Sequence, residues 1–462
     1  VTTESALTAT DAALGSRDLA ARDTRAAIPR ARPVPAGLRC TTREIADPGD
    51  LVGLLPTAAD ALSWVRGGEG LVAWGRTTTL ETGGPGRFVD AEAVWRALAA
   101  RIEVHDEVGL PGTGPVAFAS FAFGDGPLGR TRTRGGERSV LVVPRVVVGR
   151  RGGRCWITEL GPVAGHPAPW GDVAGDPARL GPDERPAPVR RPGPAHWAPG
   201  AMSAAAYRDA VAEAVTRMAD GPLDKVVLAR DVVARLGRPV DPRFLVRTLA
   251  AGNPRCWTYS VDGLVGATPE LLLRRSGAVV ESRVLAGTTW PGAEGTEDQV
   301  LAAGKYREEH RFAVESLCRT LGPSCSRLEL DGPHLLRLPT VTHLATDVRG
   351  HLDPLQDPSV LALAGAVHPT AAVGGTPPAL AAATIAELEG RVGLQRGRYA
   401  GPVGWVDAHG DGELGIALRC AQLSGRTARL FAGCGVVADS DPDLELAETA
   451  AKLRAVTEAL GS

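Results

Sequence analysis

Ten prolines and seven glycines fall between residues 161 and 200 of the 462-residue chain, and that density governs what the chain can fold into. Proline removes a backbone donor and fixes φ, while glycine adds conformational freedom, so such a run reads as a linker or surface loop without regular structure. His166, Trp170 and His196 are scattered through it, and a tolerated insertion is the simplest reading. What remains amounts to about two to three domain-sized units, or one large intertwined domain.

Residues 1–35 lack a sustained apolar period and are expected to be a disordered lead-in. Residues 36–160 carry short strand-like runs at Leu51–Leu55, Gly70–Trp74, Val116–Phe123, Ser139–Val148 and Cys155–Thr158, with a helix over 91–102. Strands separated by turns favour antiparallel sheet. After residue 200 the spacing predicts a helix from Ser203 to Met218, then the strand that opens Lys225-Val-Val-Leu. Further strands are expected at Cys256–Val261, Leu271–Arg274, Val279–Ser282, Val341–Val348, Gly401–Val406, Leu414–Cys420 and Arg429–Gly433, and helices at 297–321, 357–366, 377–389 and 442–460.

Forty-eight of the 51 basic residues are arginine, and a formal net charge of −2 leaves no basic face for nucleic acid or an anionic membrane. A small-molecule partner is the default. The three lysines, Lys225, Lys305 and Lys452, draw attention because an ammonium can be tuned into a base whereas a guanidinium cannot. Seven cysteines without a C-x-x-C pair read as reduced thiols of a cytoplasmic protein, with no zinc site. The apolar run Val140–Val148 is broken by Pro144 and Arg145 and is too short to span a bilayer, and the N-terminus does not resemble a signal peptide.

Chemistry concentrates in a few places. In Gly433-Cys-Gly-Val-Val-Ala-Asp-Ser-Asp-Pro a strand ends in Gly-x-Gly and a helix opens, and on that helix Glu445, Glu448 and Lys452 share one face. A solvated stripe with a Glu448–Lys452 pair explains the same spacing. Glu308, Glu309 and His310 sit together on another helix; carboxylates from two helices could hold a hard cation such as Mg²⁺, although an exposed helix face reads the same way. Glu270, at the entrance of an apolar strand, is placed for desolvation to raise its pKa toward that of a general acid, or is an ordinary strand-edge residue. Leu285-Ala-Gly-Thr288 offers amides and a hydroxyl to an anion, or is a plain turn. Neither glycine-rich piece is a Walker A or dinucleotide fingerprint.

Taken together and in order, these motifs resemble the chorismate-utilising enzymes, and within that group the isochorismate synthases. The resemblance rests on Asp-Lys225-Val-Val-Leu-Ala-Arg, Ala267-Thr-Pro-Glu270-Leu-Leu-Leu, Leu285-Ala-Gly-Thr288, Glu309-His310, His343-Leu-Ala-Thr, His368-Pro-Thr, Tyr399-Ala-Gly-Pro-Val-Gly-Trp, Gly412-Glu-Leu-Gly-Ile-Ala-Leu-Arg419-Cys-Ala and Glu445-x-x-Glu448-Thr-x-x-Lys452. It runs over about 201–458, which makes 201–462 the catalytic region and 36–160 the variable part of the fold.

The resemblance implies an α+β fold, a large antiparallel two-sheet core with outer helices. It implies Lys225 as the base that activates water for attack at C2 of chorismate and Glu270 as the acid that protonates the departing C4 hydroxyl. Mg²⁺ would be held by Glu309, Glu445 and Glu448. Substrate contacts would come from Thr288, Arg419, Lys452 and the Gly433 and Gly435 amides, with Tyr399, His343 and His368 lining the pocket. Lysine at 225 favours water over ammonia, so no glutaminase partner is expected, and a monomer supplying siderophore or menaquinone synthesis is the implied enzyme. A salicylate synthase and a catalytically silent chorismate-binding homologue are the alternatives. Three departures from the family pattern stand out: Ala371 where proline is common, Pro378 where a basic residue is common, and Cys434 between Gly433 and Gly435 where alanine is typical.

Overall fold

The computed structural model describes residues 30–31, 37–58, 60–126, 137–163, 186–219, 221–289, 304–339 and 341–461, the side chains of 30, 31, 288, 305, 306 and 309 excepted. Residues 1–29 of the expected lead-in and 164–185 of the proline-rich segment lie outside the described residues. Twenty-one strands among the described residues are joined by backbone ladders into one continuous network. Among the described pairings only Leu38–Ile45 with Ile102–Asp106 is parallel. Seven α-helices among the described residues accompany the sheet, and the large antiparallel α+β core expected above is the fold present.

Alternation along the strands sets up two apolar layers. Trp64 joins one buried cluster and its neighbour Val65 the other, and Leu71 and Val72 divide the same way, because successive side chains of a strand point to opposite faces. The first cluster also holds Phe118, Trp156, Tyr207, Leu228 and Trp405; the second is closed by the helices Pro242–Gly252 and Pro442–Leu460 through Leu245, Leu249, Leu453 and Val456.

Three expectations need correction. Leu51–Leu55 is not a strand: Val52–Leu54 is a 3-10 turn, with Pro56 immediately after to bar extension of a ladder. The proline-rich segment is not free of regular structure, since Arg154–Pro162 is a strand and Ala195–Pro199 pairs with Val232–Leu236. Prolines there still accept: the carbonyls of Pro192 and Pro194 take the N–H groups of Arg238 and Gly237. Finally, the strand near Leu414 spans Gly412–Ile416, and Arg419 beyond it adopts a left-handed φ of 48°.

Candidate active site

The strand Lys225–Leu236 is bounded on one edge by Thr427–Val436 and, for its first two residues, by Gly375–Thr376 on the other. Beside these strands the helix Pro442–Leu460 begins, capped by Asp441, whose side chain accepts from the N–H groups of Asp443 and Leu444, with Pro442 at the first helical position. Between helix, strands and the turn 396–400 opens a cleft of about 1070 Å³ of empty space. Glu270, His343, Tyr399, Arg419, Gly433, Gly435, Glu445, Glu448 and Lys452 line it, so nine of the thirteen residues singled out from sequence converge.

Gly433 is required there, because a Cβ would lie 2.7 Å from the Leu228 carbonyl oxygen and 3.3 Å from the Tyr399 hydroxyl. The Tyr399 ring stacks on Phe431 at 5.1 Å, and burial pushes its hydroxyl above the ordinary tyrosine range, so it stays a donor. Opposite, Gly287 at φ 77° accompanies a shift in register between Ala286 and Thr288, and Thr288 pairs with His343 through the backbone.

Glu270 is 5% exposed. Burial drives its carboxyl up to about 8; a Leu285 backbone N–H and the charges of Lys225, Lys452 and Arg419 oppose this only in part. It is therefore mostly protonated at neutral pH. Lys225 is 1% exposed. It is not itself among the lining residues, but Val227, two positions along the same face of the strand, is.

The other wall is held by pairing. Lys452 Nζ lies 2.6 Å from Glu448 Oε1 and donates to the Gly433 carbonyl at 2.9 Å. Burial opposes its charge, and Glu448 more than offsets that, so Lys452 is held protonated. Glu445 accepts from Ser440 Oγ at 2.7 Å. Arg419 donates through Nη2 to His343 Nε2 at 2.8 Å. Burial, then the Arg419 and Lys452 charges, hold that imidazole well below its usual pKa, so it is neutral and serves Arg419 as acceptor.

One ligand atom from each of Glu445, Glu448 and Cys434 fits within a common span of 4.8 Å. Burial raises the Cys434 thiol well above its usual range, and its Sγ faces the Glu445 carbonyl at 3.3 Å. The two carboxylates suit a hard divalent cation, and a protonated thiol does not. The side chains of Glu309 and Thr288 lie outside the described residues.

His368 does not line the cleft. It packs edge-on to Phe123 and against Phe88, with its Nε2 bonded to the Phe123 carbonyl at 3.0 Å, and burial lowers its pKa to about 3. Those aromatic partners lie more than two hundred positions away in sequence, out of reach of any local pattern. Pro378 occupies the first position of the helix Pro378–Arg391, where proline is well tolerated, and the segment before it puts Ala372 and Val373 in the cleft wall. Sequence reasoning missed Arg396, which also lines the cleft. Its only signal was lying three residues before Tyr399.

A profile of the family described as chorismate binding enzyme matches residues 64–461. The isochorismate synthase DhbC of Bacillus subtilis is 39% identical over 274 residues, covering 55% of this chain and 67% of the relative. The isochorismate synthase EntC of Escherichia coli K12 is 36% identical over 266 residues, covering 55% of this chain and 67% of the relative. In three dimensions the chain superposes on MenF, the menaquinone-specific isochorismate synthase of Escherichia coli, with a TM-score of 0.70 over 93% of this chain and 96% of that one, at 24% identity.

Proposed function

Starting from the chain's membership of the chorismate binding enzyme family, we propose that it is an isochorismate synthase, an isomerase that moves the hydroxyl of chorismate from C4 to C2. The observation that carries this reading is Glu270, a carboxyl in the cleft that burial keeps protonated at neutral pH. A hydroxyl is a poor leaving group, and an acid with a pKa near the working pH is what its departure needs.

In the proposed mechanism Lys225 takes a proton from the water that attacks C2, while Glu270 gives its proton to the leaving C4 oxygen. The two conjugated ring double bonds each shift by one position, C1=C2 to C1=C6 and C5=C6 to C4=C5, as the C2–O bond forms and the C4–O bond breaks; the water gained at C2 equals the water lost from C4. Arg419, oriented by His343, and Lys452 receive the substrate's carboxylates as charge-assisted hydrogen bonds. Tyr399 adds a neutral donor at the same wall. Glu445 and Glu448, with Glu309, would hold Mg²⁺, which when bound supplies positive charge for a substrate carboxylate.

Lysine as base, Mg²⁺ dependence, a monomeric state, the absence of a glutaminase partner, a cytoplasmic setting and a siderophore or menaquinone destination belong to this proposal. Among the described residues no helix is long and apolar enough to cross a membrane. The test is to incubate the protein with chorismate, with Mg²⁺ or with a chelator, and resolve products by chromatography. Isochorismate formed only with Mg²⁺ is expected; salicylate alone, or no product, would overturn the reading.

A further inference from the structure

Backbone groups along a strand need partners, and the strand Lys225–Leu236 has a gap on one edge. Gly375–Thr376 covers Lys225 and Val226, and Ala195–Pro199 covers Val232 to Leu236. Between them no described strand runs. Val227 N–H reaches the Gly374 carbonyl at 2.8 Å. Two side chains complete the gap: Arg396 Nη2 donates to the Val227 carbonyl at 2.6 Å, and Ala229 N–H donates to Glu389 Oε1 at 2.9 Å.

Those side chains form a pair of their own. Arg396 Nε and Nη2 reach the two carboxylate oxygens of Glu389 at 2.9 and 2.6 Å, and Nη1 donates to the Val373 carbonyl at 3.1 Å. Both are almost wholly buried, at 3% and 4% side-chain exposure. The Arg396 backbone carbonyl then accepts from Tyr399 N–H at 3.1 Å, at the turn that brings Tyr399 to the cleft.

Resting on the function proposed above, we infer that Glu389 and Arg396 are positioning residues for the reaction: the pair stands in for a missing strand and locks the Lys225 strand, the 371–376 loop and the Tyr399 turn into one register. A buried ion pair is seldom retained for stability alone, because desolvation cancels most of its attraction. Here its donors and acceptors match orphaned backbone groups two to four residues from Lys225, where a misplacement of about 1 Å can lower a rate by roughly 10²-fold.

Glu389 lies outside the cleft lining, which makes it the clean probe. Glu389→Gln keeps an acceptor for Ala229 and loses the ionic fork. Hydrogen–deuterium exchange of the peptide containing Val227 and Ala229 is expected to accelerate about tenfold relative to the other strands, and kcat for chorismate to fall about tenfold or more with KM held within about twofold. Unchanged exchange at that peptide overturns the inference. So does a proportionate loss of kcat and melting temperature with exchange raised throughout, since that is a structural role only. Should Glu389→Gln not fold, Arg396→Lys keeps the buried charge and removes the fork, and the same local exchange decides. If the wild-type protein does not turn over chorismate, the proposed function fails while the exchange experiment still judges the pair.

Discussion

Glu270, just before the strand Leu271–Ser276, and Glu413, on the strand Gly412–Ile416 that pairs with it, both have about one-twentieth of their surface exposed, and their carboxyl pKa values are shifted in opposite directions. Burial raises both. At Glu413 the raising is outweighed by Arg274 and Arg151, whose nitrogens lie 3.2 and 2.6 Å from Oε1, and by the Trp64 indole N–H at 2.9 Å on Oε2, so its carboxyl ends below the ordinary range. At Glu270 the charges of Lys225, Lys452 and Arg419 oppose burial only in part, and burial prevails. The same residue type in the same degree of burial is thus a structural anion in one place and an acid in the other. The balance of burial against neighbouring charge decides which, and burial that charge does not offset marks the place where chemistry can be done.

That contrast can be broken by substitution. The largest effect is expected at Lys225, whose ammonium is one of the charges acting on Glu270: Lys225→Ala and Lys225→Arg should each lower kcat by roughly 10³-fold or more, followed as isochorismate release. An active Arg variant would remove lysine from the role of base, since a guanidinium does not give up its proton. Next, Glu270→Gln should lower kcat by roughly 10²-fold. Wild-type kcat should fall as pH rises through about 8, where Glu270 loses its proton, and the Gln variant should lack that limb.

Stability should separate the two glutamates further. Glu270 binds its proton more tightly folded than unfolded, so its contribution is fully present below about pH 4.5 and is lost as pH rises toward 8. Glu413 is the reverse: its contribution is present above the unfolded value of 4.5 and is lost as pH falls through the depressed folded value. At pH 8, therefore, Glu270→Gln is expected to raise the melting temperature. Glu413→Gln should lower stability by about 1–3 kcal/mol in denaturant titration and leave kcat unchanged. A loss of kcat at Glu413→Gln would mean that the two regions are coupled. The smallest effect is expected at His343→Ala, which leaves Arg419 without its acceptor and should raise KM about fivefold, near 1 kcal/mol.

Much of the catalytic half could be read in sequence because its signals are local. The helix 442–460 has the bounds expected, since Asp441 and Pro442 mark its start and an apolar period carries it. Glu270 is marked by its place at the entrance of an apolar strand, Lys452 by its rarity among arginines and the helix face it shares with Glu445 and Glu448, and Tyr399 by the resemblance to the family's motif alone. Other features left weaker traces. The helix Pro242–Gly252 has the same Asp-Pro opening and an apolar stripe at Leu245, Val246 and Leu249, and sequence reasoning missed it because it spans only three turns. The strand Cys325–Arg337 is exposed along most of its length, so no alternation distinguishes it from a loop. Arg396 is one arginine among 48, and its meaning comes from Val227, Val373 and Glu389, which only the folded chain assembles around it. His368 was misplaced for the same reason, because phenylalanines distant in sequence fill the space around it.

The hydrogen bond from Arg230 to Thr449 spans 219 positions of chain, and the ladder between Lys225–Leu236 and Thr427–Val436 spans a similar length. On a ribosome the strand that bears Lys225 therefore emerges long before the strand and helix that flank it, with the backbone groups of one edge open to neighbours. The nascent chain must shelter that edge until Glu445, Glu448 and Lys452 arrive together on one helix. The cleft that Glu270, Arg419, Gly433 and Lys452 line consequently comes together late in synthesis, and no shorter product of translation can hold it.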